Sequence, residues 1–405
     1  MEGLLDWKIA REIILEQAKL VAPTELISIE NSFGRILGKD VFSPIDLPPF
    51  DRSLVDGYAV GFPRGSEEDV WKIIGESGIG SVSDSPLGDG EAHYLPTGGI
   101  IPEKTFAVIK AEDVTADRGG VSLNSKISLE KGTNIELSGS DVAKGARLID
   151  SGVKIGIQHI SLLSAVGIAR VTVREKPRVV LIVTGTEVKS PGEELTKGEI
   201  FDSTSFLLGS LCTQLGGKIV ASVKTGESLE EIMRAISENA PNSHLIITTG
   251  GTSVGKSDNT AKALTMVGEK IFHGVNIRPG KPLVFGRVKR SLIIGFPGFV
   301  TSSAVIAYDI LPDLFSRFLG AQVISKRRTT VPLGQPLRLL PDWYRFVFGR
   351  IVEGKFISTM KTSAAVTSFY NAEGFLTLNP GNRLLESGTE VSFQCLPLIE
   401  YPEDS

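Results

Sequence analysis

Cysteine is nearly missing from this chain: Cys212 and Cys395 are the only two in 405 residues. Two thiols so far apart in sequence suggest neither a disulfide framework nor a thiolate metal site, so both are expected to be buried thiols of a protein in the reducing cytoplasm. Histidine is almost as sparse. His93, His159, His244 and His273 show no H-x-x-x-H or H-E-x-x-H spacing, which leaves zinc-hydrolase chemistry without support. There is no G-x-S-x-G nucleophile elbow and no interleaving of aromatic and basic residues of the kind that binds single-stranded nucleic acid. No apolar run approaches the roughly 18 residues that a membrane helix needs. The opening MEGLLDWKIAREI carries charge too early and too often for a secretory signal. Neither sign of charge dominates, because 43 basic residues face 47 acidic ones for a net charge of -4. Such a chain has no global field to draw in nucleic acid or an anionic membrane, so any anion site must be built locally.

What is present divides by rhythm along the chain. Its length exceeds one ordinary core and favours two to four domains. Leu5, Ile9, Ile13, Leu20 and Val21 recur at helical spacing, predicting an amphipathic helix that stops near Ala22-Pro23. From about Asp46 to Ser140, short alternating runs broken by Gly, Ser and Pro predict a β-rich module. Residues 151–175 read as a helix carrying Ile160, Leu163 and Val166 between two strand-like pieces. From Lys176 to about Gly320, strands at 179–183, 218–222, 245–248 and 292–295 alternate with helices at 203–215, 229–240, 260–267 and 300–318. That alternation predicts a doubly wound, mostly parallel sheet whose ligands bind beyond the carboxyl ends of the strands. Residues 326–405 lose helical periodicity and predict a small β-barrel or sandwich.

Three loops that follow strands of the α/β region converge if the sheet is parallel: Thr184-Gly185-Thr186-Glu187, Thr249 to Asp258, and Pro297-Gly298. Gly250 to Ser257 satisfies the phosphate-loop template G-x-x-x-x-G-K-[ST] in a strand-loop-helix setting. A nucleotide hydrolase is disfavoured, because neither candidate partner strand ends in the aspartate that such an enzyme uses to hold Mg²⁺. The expectation is an anion cradle of successive N–H groups at Gly250 and Gly251, with Ser253 and Gly255 also expected at the ligand and a ligand-free glycine-rich connection as the alternative. Glu187 and Asp258 stand at two strand mouths. Bare carboxylates there repel each other unless a divalent cation lies between them, which suits Mg²⁺ shared with a phosphate; two solvated loop acids are the plainer reading. Arg278-Pro279-Gly280-Lys281 places two cations on a stiff turn, each able to supply on the order of 4 kcal/mol at about 4 Å from an oxyanion; a surface turn is the alternative. In IDLPPFDRSLVDGYAV, Asp56-Gly57 marks a sharp turn that presents a carboxylate, and a purely turn-stabilising aspartate is equally open.

At these residues the chain resembles the MoeA family, the molybdopterin molybdenumtransferases. PPFDRSLVDGYAV, LPTGGIIPEKTFAVIKAED, GSDVAKG, RVVLIVTGTEV, GEIFDSTS, TTGGTSVGKSD, RPGKPLVFG and GFPG follow the family's motifs in the family's order. The resemblance implies four parts: a helical N-terminal region made of 1–45 and 145–175, a β-rich insertion at 46–144, a molybdopterin-binding α/β domain at 176–325, and a C-terminal β-barrel at 326–405. It implies a homodimeric cytoplasmic enzyme that inserts molybdate or tungstate into adenylylated molybdopterin with release of AMP. It also implies help from Mg²⁺ and an upstream molybdopterin adenylyltransferase resembling MogA.

On this resemblance Asp56, Glu187, Asp258 and Asp141 match the acidic functional positions, with Glu187 and Asp258 as metal ligands. Thr97, Thr184, Gly185, Asp202, Ser203, Pro297, Gly298 and Ser302 fall in the matching substrate-binding motifs, with the glycine-rich loop and Arg278 to Lys281. The sequence also departs from the pattern. Arg52 stands where the family has asparagine, Thr186 replaces an aspartate beside Glu187, and Gly298-Phe299-Val300-Thr301-Ser302 replaces G-N-P-V-S. A MoeA-like protein that binds the pterin or a partner without catalysis is the second reading of those departures.

Overall fold

The computed structural model describes residues 3–19, 22–63, 70–81, 85–117, 120–124, 129–251, 258–322 and 328–396. At its centre is a six-stranded sheet in the order Lys218–Thr225, Arg178–Thr184, Leu245–Thr249, Ser291–Phe296, Val284–Val288, Glu269–His273. The first four strands are mutually parallel, and Val284–Val288 runs against both of its neighbours. Arg178–Thr184 is buried from Val179 onward, as expected of a strand covered on both faces. Alternate residues serve opposite faces. Val180, Ile182 and Ile246 pack under helices Leu229–Asn239 and Asn259–Val267. Val179, Leu181 and Ile247 pack under Thr204–Gln214 and Val300–Leu319. Every crossover therefore delivers its loop to the same carboxyl edge, which positions the site.

The sheet agrees with the predicted doubly wound architecture, with one addition. The antiparallel pair Glu269–His273 and Val284–Val288 completes one edge, and short mixed runs such as EKIFH gave no periodic signal for it. The opening helix forms over Trp7–Gln17, where the Asp6 side chain accepts from Lys8 N at 2.9 Å as its N-cap. Its buried face, Trp7, Ala10, Ile14 and Leu15, belongs to the same core as Phe315 and Phe346. Trp7 meets Phe346 edge-on with ring centres 5.8 Å apart, and Arg11 pairs with Asp309 and Asp313 on helix Val300–Leu319. This helix thus packs on the α/β and C-terminal parts. Farther on, Thr24–Ser28 pairs antiparallel with Arg170–Arg174, and Val41–Phe42 with Arg147–Ile149.

The β-rich insertion contains a sheet in the order Ala107–Lys110, Gly57–Val60, Glu91–Leu95, Val70–Glu76, Val121–Leu123, Val114–Ala116. Gly57 opens its second strand under a tight steric limit, because a Cβ there would lie 1.9 Å from Ile109 O. Gly57→Ala is expected to cost about 1–3 kcal/mol or more by forcing the two strands apart. A thermal melt unchanged by this substitution would show that the pairing is looser than described.

In the C-terminal part, Tyr344–Val352, Gly374–Leu378, Glu390–Cys395 and Arg328–Pro332 pair in sequence around a sheet. Lys355–Ser358 pairs with Tyr344–Val352 on its other side, and a bridge from Leu333 to Phe356 closes the ring. Val347, Phe356, Leu376 and Phe393 fill this small barrel.

Candidate active site

Thr184, at the end of its strand, donates from Oγ1 to Thr249 O at 2.9 Å and so ties two strand ends together. The loop that follows Thr249 turns through Gly250 and Gly251, whose φ values of 81° and 62° favour glycine. Space imposes the same choice. A Cβ on Gly250 would lie 2.9 Å from both Thr184 O and Oγ1, and one on Gly251 would lie 2.9 Å from Thr260 Oγ1. A Cβ on Gly298 would lie 3.7 Å from Gly250 Cα, so the third strand-end loop closes on the second. Gly298 O accepts from Thr204 Oγ1 at 2.9 Å, and Pro297 O accepts from Ser303 Oγ at 2.5 Å.

The structure thus brings Thr184, Gly185, Gly250, Gly251, Pro297 and Gly298 to one place, with the start of helix Thr204–Gln214 beside them. Asp202 is buried, and its carboxylate accepts from Ser205 N at 3.0 Å and from Ser205 Oγ, so it anchors that helix start while Ser203 is exposed. Ser302 is buried in the first turn of helix Val300–Leu319. Ser253, Gly255, Lys256 and Ser257 lie outside the described residues.

The two strand-mouth acids differ in setting. Glu187 is exposed, and its carboxylate folds over Gly185, where a Cβ would lie 2.6 Å from Oε2. Asp258 is buried at the N-cap of helix Asn259–Val267, accepting from Ala261 N at 2.9 Å through Oδ1. Its Oδ2 stands 2.6 Å from His273 Nε2. Sequence reasoning missed His273, because it reaches Asp258 only through the antiparallel edge strand. Among the described residues no group of three or more His, Cys, Asp or Glu is placed to hold a metal. Mg²⁺, however, usually takes one or two carboxylates and completes its shell with water and substrate phosphates, and Glu187 with Asp258 supply hard oxygen donors of that kind.

Asp56 and Thr97 form a second pair, on the insertion. Asp56 Oδ1 accepts from Thr97 N at 2.6 Å and from Thr97 Oγ1 at 3.0 Å. The Thr97 backbone donor first, and its hydroxyl second, hold the exposed carboxyl below its ordinary pKa, because both stabilise the anion. Asp141 is also exposed, with its N–H donating to Leu47 O at 3.0 Å. Arg52 has a structural partner in Glu136, with Nε 2.6 Å from Oε2.

The two cations sit where the α/β region meets the barrel. Ile277–Arg278 pairs parallel with Tyr344–Arg345, and the Arg278 guanidinium lies 4.4 Å from the centre of the Trp343 ring. Such stacking holds a guanidinium flat while leaving its edge able to donate. Gly280 has φ 121° and fits against Ile306 and Ile277, where a Cβ would approach within 2.7 and 2.8 Å. Pro279 is half-buried and Lys281 is exposed. If the two cations meet an anionic substrate, Lys281→Ala weakens its binding most at low ionic strength, where charge is least screened. A salt-independent loss in a binding titration would assign Lys281 a structural role.

Comparison with known proteins matches three successive parts of the chain. The family description "MoeA N-terminal region (domain I and II)" matches residues 5–167, "Probable molybdopterin binding domain" matches 181–316, and "MoeA C-terminal region (domain IV)" matches 330–396. The molybdopterin molybdenumtransferase of Haemophilus influenzae is 31% identical over 317 residues, 78% of each chain. The protein of the same name from Bacillus subtilis is 29% identical, covering 91% of this chain and 89% of its own. The crystal structure of the molybdopterin biosynthesis MoeA protein from Pyrococcus horikosii superposes with a TM-score of 0.86 at 31% identity, covering 97% and 99% of the two chains.

Proposed function

The chain belongs to the MoeA family, and from that membership we infer that it is a molybdopterin molybdenumtransferase, an enzyme of molybdenum cofactor biosynthesis. Its reaction is the insertion of molybdate or tungstate into adenylylated molybdopterin with release of AMP. The observation that carries this reading is the glycine cradle, in which Thr184, Gly250, Gly251 and Gly298 bring three strand ends into contact. Family and cradle together also account for the phosphate-loop pattern without a nucleotide hydrolase.

The proposed division of labour follows from charge. Adenylylated molybdopterin and the oxyanion are both negative, so cations must offset their repulsion. Lys281 and the stacked Arg278 supply fixed positive charge, and Asn or Ala in their place would not. Backbone N–H groups after Thr249 cradle the phosphate, with Gly185, Ser203 and Pro297-Gly298 shaping the walls. Glu187 and Asp258 would hold Mg²⁺, which when bound neutralises pyrophosphate charge. A carboxylate at Asp56 or Asp141 orients the water that attacks the adenylyl phosphorus, and the P–O bond to the pterin phosphate breaks as AMP leaves.

Asp56, Thr97 and Asp141 hydrogen-bond within the insertion and its approach, whereas Thr184 bonds to the neighbouring strand end of the parallel sheet and Asp258 caps the helix that follows it. Following what the family resemblance implies, we propose that the complete site lies between two copies, the insertion of one facing the α/β domain of the other. A MogA-like adenylyltransferase supplies the substrate, in the cytoplasm. Among the described residues no helix is long and apolar enough to cross a membrane.

Mixing two inactive variants tests both the reaction and the shared site. Asp56→Asn and Asp258→Asn proteins, dissociated and reassociated in equal amounts, are expected to regain about a quarter of wild-type AMP release, because half of the dimers then carry one intact site of two. No recovery despite proven subunit exchange would place both acids in one chain's site.

A further inference from the structure

A second opening, with a cavity volume of about 420 Å³, lies at the other end of the parallel sheet from the candidate active site. Lys176 lines it two residues before strand Arg178–Thr184 begins, and Thr213 to Gly216 line it where helix Thr204–Gln214 turns toward Lys218–Thr225. Thr184 stands at the far end of that seven-residue strand, roughly 20 Å away at about 3.3 Å per residue. We propose that this cavity binds a small phosphorylated organic anion.

Charge is the first reason. Arg35, Lys154, Arg174 and Lys176 line the cavity, and no acid does. Arg35 is held in place by donating to Arg174 O at 2.7 Å and by pairing with Glu25, which leaves three cations without a carboxylate in the lining. Helices Thr204–Gln214 and Val300–Leu319 both end here. Each contributes about half a negative charge, so roughly two positive charges stay uncompensated. That excess matches a phosphomonoester, which carries about two negative charges near neutrality. It also stands out in a chain whose net charge is -4. The Arg174 Nε is buried and has no hydrogen-bond partner among the described residues. The guanidinium nevertheless lines the opening and keeps its charge, so it adds to the positive field a phosphate would meet there.

Shape is the second reason. Ile36, Ile155, Leu215 and Leu319 give the cavity apolar walls, and Phe33, 63% exposed, stands at its edge. Cations beside apolar walls and an open aromatic face suit an organic phosphate with a flat ring better than a bare oxyanion.

Calorimetric titration of the full chain with uridine monophosphate and, separately, with inorganic phosphate tests this; the uridine nucleotide avoids the AMP of the proposed reaction. The nucleotide is expected to bind with one equivalent per chain and more tightly than phosphate. Lys154→Gln/Lys176→Gln changes two exposed side chains and is expected to lower its affinity by roughly tenfold or more. Arg174→Lys should weaken it as well, while Lys281→Ala and the remote Lys131→Gln leave it unchanged. Equal affinity for phosphate and nucleotide would overturn the organic part of the proposal. The whole proposal falls if neither ligand binds, if the double variant binds like wild type, or if Lys131→Gln or Lys281→Ala loses as much.

Discussion

Asp56→Asn lowers AMP release by on the order of a hundredfold or more, as expected when a positioned acid-base group is lost, with folding unchanged. The substitution is isosteric, and an asparagine Oδ1 can still accept from Thr97 N and Thr97 Oγ1 where the aspartate does. The charge is what disappears. Those two donors place the folded-state pKa below the ordinary carboxylate value. Any stability contributed by the charge is therefore fully present above the unfolded-state pKa, and is lost only as pH falls through the depressed folded-state value. Between pH 5 and 8 the difference in melting temperature between variant and wild type should accordingly stay constant. Full activity in Asp56→Asn would reduce Asp56 to a turn residue. A melting difference that changes across that range would contradict the Thr97 account.

Replacing Asp258 separates its two tasks. Asparagine is as good an N-cap as aspartate, so Asp258→Asn should keep the bond to Ala261 N and the helix it starts. Alanine loses that cap at about 1 kcal/mol and also strips the half-buried His273 of its neighbour. Both variants should lose AMP release to a similar degree, on the order of a hundredfold, if the charge meets metal and substrate. Only the alanine variant should melt earlier. An asparagine variant that turns over normally would show that Asp258 serves the helix alone.

Where function was legible in the sequence, local backbone chemistry made it so. Glycine at positions with φ of 81° and 62°, in contact with Thr184, is a requirement that Gly250-Gly251 announces directly. The same holds for the long apolar strand expected at 179–183 and found over Arg178–Thr184, whose burial on both faces writes a continuous apolar run. Contacts made across large separations left no such trace. The Trp7–Gln17 helix displayed an apolar face, but nothing local showed that Phe346 would cover it. Asp258 meets His273 only because an edge strand folds back beside its helix, and a histidine at the end of a short mixed run carries no pattern. Asp56 was legible as a turn carboxylate, while its hold by Thr97, 41 residues on, was not. Arg52, a departure from the family pattern, is explained by Glu136 on the neighbouring strand.

The most direct measurement is AMP release by the purified protein from adenylylated molybdopterin, with and without molybdate, followed alongside binding of the pterin. Our reading predicts AMP release that depends on molybdate or tungstate and is lost in Asp56→Asn and Asp258→Asn. Retained pterin binding with no oxyanion-dependent AMP release from the wild-type protein would contradict it.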